Sequence, residues 1–471
     1  MSRSSVSAPF IDHLREVVPG TTTDPEELAR CARDWSWPAR FAEQDGRASR
    51  PDVVVRATSD EEVARAVRLA GEHGVPVVPR GGGSGVMGAC VPSHGGVVID
   101  VSAMDAVIEI DERSMTATVE AGHNGRAFEA LLNERGLSFR HYAASAEWAS
   151  VGGYVAARGS GVLSSRYGKI EDLVMALRVV TPTGQTVDTV PAPRHAAGPE
   201  LTQLFVGSEG TLGIITRVTV KLTPLPAHRR FEAVSIPSLD DGIDALRLTM
   251  QRGLRPSVIR LYDAEATSGS LSAVVGRSLT DPTALLMFEG EAGVADAEAE
   301  AALALLDERG ATRLDPALCE TWWRRRYDFY HPPHYPTLPA MWATIDAVAP
   351  YARIRAVYDG IRAALEPFAD TGLRLRTHFS HWYDWGTMVY PRWVIPDVSG
   401  HPDPLGLYKA IWHAGIEAIL DAGGVINDHH GVGTTLAPYV ERQWGPAFAV
   451  LRDVKRALDP AGIMNPGKLG L

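Results

Sequence analysis

Three glycine clusters in the first half of the 471-residue chain constrain its fold more than any other feature. They occupy residues 81–88, 152–161 and 207–213. Glycine lets backbone N–H groups approach a ligand closely and permits positive φ angles. Three such loops in one region predict a single extended ligand that is held largely by the backbone.

The first cluster matches a GxGxxG pattern from Gly83 to Gly88, which alone is weak support for a dinucleotide site. A Rossmann fold needs a helix to begin at this loop, so that the helix N-terminus faces the pyrophosphate. Residues 89–96 read ACVPSHGG, a stretch that does not form a helix. Two interpretations remain, namely an anion site made of successive backbone N–H groups and a plain glycine-rich turn.

The chain just before this loop, residues 52–78, has the pattern of strand, helix and strand. Ser59 and Glu62 have the spacing of a capping box, and Gly74 marks the helix end. Because Pro76 lies in the second apolar run, we expect that strand to be short or to lie at a sheet edge.

Charge and composition exclude several classes of protein. The net charge of -11 and the pI near 5.8 argue against nucleic-acid binding but are compatible with a local basic pocket for an acidic small-molecule substrate. Three scattered cysteines, Cys31, Cys90 and Cys319, give no disulfide or metal pattern. The sequence contains no signal peptide and no apolar run long enough for a membrane span, which predicts a cytoplasmic protein.

The second half changes character near residue 226, and we expect a second domain beyond it. Residues 373–380 alternate, so that Arg374, Arg376 and His378 share one face of a strand. Such a face could bind an anionic substrate, or it could be a solvated strand edge. The segment 322–336, rich in aromatic residues and arginine, is either a loop over the substrate or an exposed basic turn.

Two adjacent histidines, His429 and His430, precede glycines at 431 and 433. Imidazole suits general acid–base work because its unperturbed pKa is near 6.5. A structural role for the pair is the alternative.

Four ordered motifs resemble the vanillyl-alcohol-oxidase superfamily with its PCMH-type FAD-binding domain. They are PRGGGSG at 79–85, SVGG at 150–153, GSEGTLG at 207–213 and DPAGIMNPGK at 459–468. The resemblance implies an α+β fold, with a two-subdomain PCMH-type FAD-binding domain and an α+β cap or substrate domain of the FAD-linked oxidase C-terminal type. The expected boundaries are an N-terminal segment 1–47, the FAD domain 48–226, the substrate domain 227–425 and a returning segment 426–471.

The same resemblance implies which residues bind FAD. The resemblance places the first loop around the pyrophosphate, with the residues Pro79, Arg80, Gly81, Gly82, Gly83, Ser84, Gly85 and Gly88. Beside the isoalloxazine ring it places the second loop: Ser150, Gly152, Gly153, Gly159 and Gly161. Near the ribityl and adenine parts it places Glu209, Gly210 and Ile215, and the returning segment adds Asn465. Because Ser84 stands where some relatives tether the flavin through histidine, we expect FAD to be non-covalent.

Further motifs resemble the alkyldihydroxyacetonephosphate synthase branch of that superfamily. They include SRYGKIEDLV at 165–174, YDWGTMVY at 383–390 and DHHGVG at 428–433. This resemblance implies catalytic roles for Tyr390, His429 and His430, and substrate-binding roles for Arg260, Arg376, His378 and His141. We expect nearby cations to lower the pKa of Tyr390 so that it can act as a base. Asp428 and His378 depart from the synthase pattern, which puts its phosphorylated long-chain substrate in doubt.

The resemblance leaves two functions open. The first is an FAD-dependent oxidoreductase for a small hydroxylated, anionic substrate, which transfers to flavin N5. The second is a non-redox transferase like the synthase, which uses a flavin N5 adduct. A flavin-binding protein without turnover is a third alternative. The metal-binding stretch of 2-hydroxyacid dehydrogenases is absent, so we predict no catalytic metal, and a homodimer is one expectation from relatives.

Overall fold

The computed structural model describes residues 6–192, 194–328 and 337–471. The described chain divides into two units. Unit 1 comprises Met1–Ser160, Lys169–Pro224 and His429–Leu471, and unit 2 comprises Gly161–Gly168 and Leu225–Asp428. Gly161, which the resemblance assigns to the flavin-lining loop, thus belongs to unit 2.

The α-helices in chain order are α1 (Ala8–Val17), α2 (Pro25–Cys31), α3 (Trp37–Gln44), α4 (Asp60–His73), α5 (Gly125–Asn133), α6 (Val151–Ala156), α7 (Ser164–Tyr167), α8 (Ile170–Leu173), α9 (Thr202–Phe205), α10 (Leu239–Gln251), α11 (Ala264–Ala266), α12 (Ser272–Val275), α13 (Ala292–Asp307), α14 (Ala317–Arg325), α15 (Tyr351–Leu365), α16 (Pro404–Asp421), α17 (Val440–Trp444) and α18 (Ala447–Leu458). Other helical turns are a π-helix (Thr267–Leu271) and 3₁₀ turns (Glu366–Thr371 and Ala437–Tyr439).

The strands are β1 (Thr21–Thr22), β2 (Val53–Arg56), β3 (Val77–Arg80), β4 (Val97–Asp100), β5 (Val107–Asp111), β6 (Thr116–Glu120), β7 (Leu137–Ser138), β8 (Val174–Val180), β9 (Thr186–Asp188), β10 (Ile214–Lys221), β11 (Thr223–Pro224), β12 (His228–Ser235), β13 (Val258–Tyr262), β14 (Thr283–Gly290), β15 (Thr312–Arg313), β16 (Met341–Thr344), β17 (Ala347–Pro350), β18 (Arg374–Trp382) and β19 (Gly386–Ile395).

The first sheet of unit 1 has the order β1-β2-β4-β3, and β4 pairs in parallel with β2 and β3. Helix α4 connects β2 to β3. Its N-cap Ser59 accepts a hydrogen bond from the Glu62 N–H, and Gly74 ends it in the left-handed conformation with φ +62. The strand–helix–strand prediction is confirmed, and β3 lies at the sheet edge as Pro76 indicated.

The second sheet of unit 1 is antiparallel, with the order β5-β6-β10-β8-β9. Buried valine, leucine and phenylalanine side chains from this sheet form one core with α5 and α6. The returning C-terminal segment joins the other core, where Ile463 and Met464 are buried and Met464 pairs in parallel with Val77. The apolar tail is therefore part of unit 1, as its turn-rich sequence predicted.

Unit 2 is built on a large antiparallel sheet with the order β15-β12-β14-β13-β18-β19-β16, and β17 also pairs with β19. Its register sets His378 opposite Tyr390 and Arg376 opposite Arg392. The mixture of helices and sheets in both units confirms the α+β class. Among the described residues, no helix combines the length and the apolar character that crossing a bilayer requires.

Candidate functional site

The first glycine loop of unit 1 presents a row of backbone donors. It follows β3, and no helix follows it, which confirms that the pattern is not a Rossmann fingerprint. Within the described chain, none of the backbone N–H groups from Gly81 to Met87 donates a hydrogen bond to another protein group. Successive N–H groups of this kind form a concave anion site. The row fits the diphosphate of a dinucleotide cofactor.

The N-terminal segment holds this loop from one side. Asp34 accepts hydrogen bonds from the Gly88 N–H at 2.7 Å and from the Ser36 hydroxyl at 2.6 Å. The Trp35 N–H donates to the Gly85 carbonyl oxygen at 2.7 Å. Burial raises the pKa of Asp34, and the bonds from Ser36 and Gly88 oppose that rise. Asp34 was not among the predicted site residues, although the DWS stretch at 34–36 has the spacing of an aspartate that binds the backbone two residues on.

Arg80 lies beneath the loop with its guanidinium buried. Its Nη1 donates to the Arg33 carbonyl oxygen at 2.8 Å, and within the described chain its buried Nε has no hydrogen-bond partner. A Cβ atom at Gly83, whose φ is +66, would overlap this guanidinium. A fixed cation beneath unpaired N–H groups strengthens the case for a bound anion.

The second glycine motif packs directly against the first. A Cβ atom at Gly82 would overlap the Trp148 carbonyl oxygen, and one at Gly81 would overlap the Ser150 hydroxyl. Ser150 itself caps α6 by accepting the Gly153 N–H at 3.2 Å. These glycines are therefore required for packing between loops as well as for any ligand.

Glu209 and Asn465 tie the third motif and the returning segment to the loop. The Glu209 carboxylate accepts the N–H of Gly433 at 2.8 Å and that of Val432. Burial raises the pKa of Glu209 to about 7. The Asn465 amide donates to the carbonyl oxygens of Ala89 at 2.9 Å and Glu209 at 2.6 Å. Both predicted FAD ligands thus have structural bonds that explain their presence.

The remaining FAD-binding predictions lie at or beside these loops. Gly152 packs so closely that a Cβ atom there would overlap Ala121, and Gly210 packs on Pro79. Ile215 is buried in the core of the second sheet. Ser84 and Gly159 lie in loops of unit 1, where Ser84 is half-buried.

The predicted histidines of unit 1 have different surroundings. His429 and His430 are half-buried with ring centroids 4.1 Å apart, and the Glu209 bonds anchor the two residues that follow Gly431. His141 is buried, with its ring 4.4 Å from that of Tyr154. His141 therefore belongs to an aromatic cluster of unit 1, whereas the other predicted substrate residues belong to unit 2.

In unit 2, the sheet brings three predicted residues together. The Arg260 guanidinium donates from Nη2 to Nε2 of His378. The His378 ring lies 4.7 Å from the Tyr390 ring between centroids. Arg260 also lies 5.2 Å from the ring centroid of Trp322, whose segment was singled out in the sequence. Residues 329–336 of that segment lie outside the described residues.

Tyr390 differs from expectation in its protonation. Burial raises the pKa of Tyr390, and the charge of Asp346 adds to the rise, while the Thr344 hydroxyl and the charges of Arg392 and Arg260 oppose it. The expectation of a lowered pKa was wrong because burial outweighs the nearby cations. With its pKa raised, the Tyr390 phenol keeps its proton at neutral pH.

A third histidine, His381, was not among the predicted site residues. It lies at an irregularity of β18, where the register shifts between Ser380 and Trp382, and its φ is +53. Its Nδ1 lies 2.7 Å from the buried Asp428 carboxylate. Bulges often redirect a side chain beside a functional site. The sequence feature that could have pointed to His381 is its partner Asp428, because Asp428 departs from the synthase pattern.

Comparisons with known proteins show the family to which the chain belongs. A family model described as FAD binding domain matches residues 51–189, and one described as FAD linked oxidases, C-terminal domain, matches residues 225–469. The alkyldihydroxyacetonephosphate synthase of Trypanosoma brucei brucei is 28% identical over 98% of this chain and 81% of its own. The mitochondrial D-lactate dehydrogenase [cytochrome] of Arabidopsis thaliana is 31% identical over 89% and 73%. A solved structure of alkyldihydroxyacetonephosphate synthase covers 100% of this chain and 87% of its own, with TM-score 0.82 and 26% identity.

Proposed function

The chain belongs to the FAD-linked oxidase family within the vanillyl-alcohol-oxidase superfamily, and we propose that it is an FAD-dependent oxidoreductase for a small hydroxylated organic anion. The observation that carries this proposal is the contact of Arg260 with His378 beside Tyr390 in unit 2. This arrangement places a guanidinium that can bind an anion, Arg260, near a hydroxyl group that can donate a hydrogen bond, Tyr390.

The cofactor is assigned to unit 1. FAD, when bound, supplies the hydride acceptor that the protein's own side chains lack. The N–H row from Gly81 to Met87 and the Arg80 guanidinium would hold its diphosphate. Because the loop has Ser84 at the place where some relatives tether the flavin through histidine, we propose that the flavin dissociates.

We assign to Arg260 the binding of the substrate's negatively charged group. A guanidinium can bind a carboxylate through two parallel hydrogen bonds, which fixes both position and orientation. Only Nη2 of Arg260 is used by His378, and its Nε has no hydrogen-bond partner within the described chain. Arg260 therefore retains donors for a carboxylate.

His378 and Tyr390 would orient the substrate's hydroxyl group. Arginine only donates hydrogen bonds, so Nε2 of His378 must accept, and the ring proton of a neutral His378 lies on Nδ1. Tyr390 keeps its proton because burial raises its pKa. We assign to its hydroxyl a hydrogen bond to the substrate oxygen.

An imidazole is then needed to accept the hydroxyl proton. In unit 2, Asp428 binds Nδ1 of His381, which fixes the ring orientation and leaves Nε2 as the basic nitrogen. In unit 1, His429 and His430 stay the predicted acid–base residues. A pH profile of turnover for single His→Gln variants at these three positions would identify the base.

A non-redox transferase is the second candidate. It is supported by the likeness of the whole chain, rather than of one domain, to alkyldihydroxyacetonephosphate synthase. Such an enzyme exchanges groups on its substrate without net oxidation.

Anaerobic mixing tests the proposal and separates the two candidates. The purified yellow protein is mixed with short 2-hydroxy acids while the flavin absorbance is followed, and acid precipitation then shows whether the flavin is released. The oxidoreductase proposal predicts bleaching with one oxidised product per flavin. Product formation with an unbleached flavin would instead establish the transferase.

A further inference from the structure

Three arginines of unit 2 lie together on one face of its sheet. Arg374 and Arg376 are two residues apart on β18, and Arg392 on β19 lies directly opposite Arg376. Side chains that face each other across antiparallel strands have Cβ atoms about 4.5–5.5 Å apart, and like charges at such positions are destabilising. The fold thus places positive charges side by side.

Carboxylates do not offset these charges. Across the described ranges, none of the guanidinium groups of Arg374, Arg376 and Arg392 forms an ion pair or hydrogen bond with an acidic side chain. Burial, and then the charges of Arg392 and Arg374, lower the pKa of Arg376. By contrast, Arg230 of the same unit forms ion pairs with three carboxylates, and Arg355 forms ion pairs with two.

The Arg376 side chain also packs against a glycine of a neighbouring helical turn. A Cβ atom at Gly269, in the π-helix Thr267–Leu271, would overlap the Arg376 guanidinium. The guanidinium therefore packs closely against Gly269, where only a glycine leaves room for it. Single π-helical turns occur frequently at functional sites.

We propose that Arg374, Arg376 and Arg392 form a second anion site, which binds an oxyanion group at the far end of the substrate. An oxyanion between two guanidinium groups removes their mutual repulsion and can bind each through paired hydrogen bonds. The inference rests on the proposed function for the nature of the bound molecule, but the anion site itself does not.

The spacing of the two sites sets the substrate class. Arg376 and Arg374 lie two and four residues from His378 on the same strand, which corresponds to about 7 and 13 Å at roughly 3.3 Å per residue. The substrate is therefore an elongated molecule with two separate anionic groups. One binds Arg260 near the reacting hydroxyl, and the other, a carboxylate or a phosphate, binds the three arginines.

Anion binding to the FAD-loaded protein tests this inference. Inorganic phosphate, sulfate, succinate and acetate are titrated by calorimetry into the wild type, Arg392→Gln and Arg376→Gln. The control is Arg313→Gln, which removes an exposed arginine that has its own carboxylate partner at 2.8 Å. We expect phosphate or succinate to bind, with at least tenfold weaker binding in both site variants and no change in the control. Preference for phosphate or for succinate identifies the oxyanion.

The inference is overturned if the wild type binds none of these anions, or if Arg392→Gln binds them as tightly as the wild type does. Flavin absorbance is recorded for every variant and should stay unchanged. If no hydroxy acid ever bleaches the flavin but anion binding still depends on Arg392, the redox proposal fails while the anion site stands. If bleaching occurs but the variants bind anions normally, the reverse holds.

Discussion

The anion-binding regions that we propose for the two units are built from different chemical groups. In unit 1 the donors are mainly backbone N–H groups from Gly81 to Met87, with the Arg80 guanidinium beside them, and Asp34 holds the loop in shape. In unit 2 the donors are the side chains of Arg260, Arg376 and Arg392 on one sheet. A site made of backbone donors suits a cofactor that does not change, since any substitution in its loop disturbs the site. A side-chain site can change its substrate by single substitutions.

The largest effect is expected from adding one methyl group to the backbone site. Gly82→Ala places a Cβ atom on the Trp148 carbonyl oxygen, so the loop must move. Overpacking of this kind costs about 1–3 kcal/mol of folding free energy. We expect a lower melting temperature and loss of nearly all bound FAD, measured by the ratio of flavin to protein absorbance.

Gly400→Ala is the matched control, because nothing lies within 4 Å of the added atom. Gly85→Ala sharpens the comparison, since within the protein its Cβ would only reach ordinary contact with Asp34 at 3.7 Å. It should weaken FAD binding without lowering the stability of the flavin-free protein. Unchanged FAD affinity in both loop variants would show that the loop does not hold the cofactor.

The side-chain region is tested by Tyr390→Phe. Removing the hydroxyl deletes a hydrogen-bond donor that Tyr390 retains because burial raises its pKa. We expect turnover to fall about 10²-fold, the lower range for proton-handling groups, with the flavin content unchanged. Tyr358→Phe, which loses a 3.2 Å hydrogen bond to Asp263 elsewhere in unit 2, is the control. Equal turnover in the two variants would remove Tyr390 from the mechanism.

A smaller effect is expected from Asp34→Asn. An amide has one acceptor oxygen, so either the Gly88 N–H or the Ser36 donors lose their partner. An unsatisfied buried donor costs about 1–3 kcal/mol, and if FAD binding has to restore the loop, its affinity falls by about 5- to 150-fold. Asp45→Asn, at an exposed position, should bind FAD normally. Fluorescence titration of stripped protein gives both constants, and equal constants would mean that Asp34 does not shape the loop.

The smallest effect concerns pH. Burial raises the pKa of Glu209 from 4.5 to about 7, so between these values the folded state holds a proton that the unfolded state has lost. The stabilising contribution of this carboxyl is therefore present below pH 4.5 and is lost as pH rises toward 7. Melting curves of stripped protein should show a pH slope in this window that flattens in Glu209→Gln. Identical slopes would contradict the assigned pKa direction.

Much of unit 1 could be predicted because glycine, proline and capping residues act locally. Ser59, Gly74 and Pro76 each had the predicted effect within a few residues of their own position. The missing helix after Gly88 followed from ACVPSHGG in the same way. Family motifs supplied the order of the domains, and the matches to residues 51–189 and 225–469 confirm the family.

Contacts between distant segments could not be predicted. Asp34 reaches Gly88 across 54 residues, and the 47-residue separation of His381 and Asp428 leaves no local pattern. The pairing of Arg376 with Arg392 depends on strand register, which alternation within β18 does not set. The raised pKa of Tyr390 follows from burial, a property of the folded sheet. The side-chain site was therefore only partly visible in the sequence.

Hydrogen–deuterium exchange at the Gly81–Met87 amides, compared between FAD-loaded and flavin-stripped protein, tests the central claim most directly. Within the described chain these amides have no acceptor, so they should exchange rapidly in the stripped protein. The account predicts strong protection when FAD is bound. FAD binding with no protection at these seven amides would contradict it.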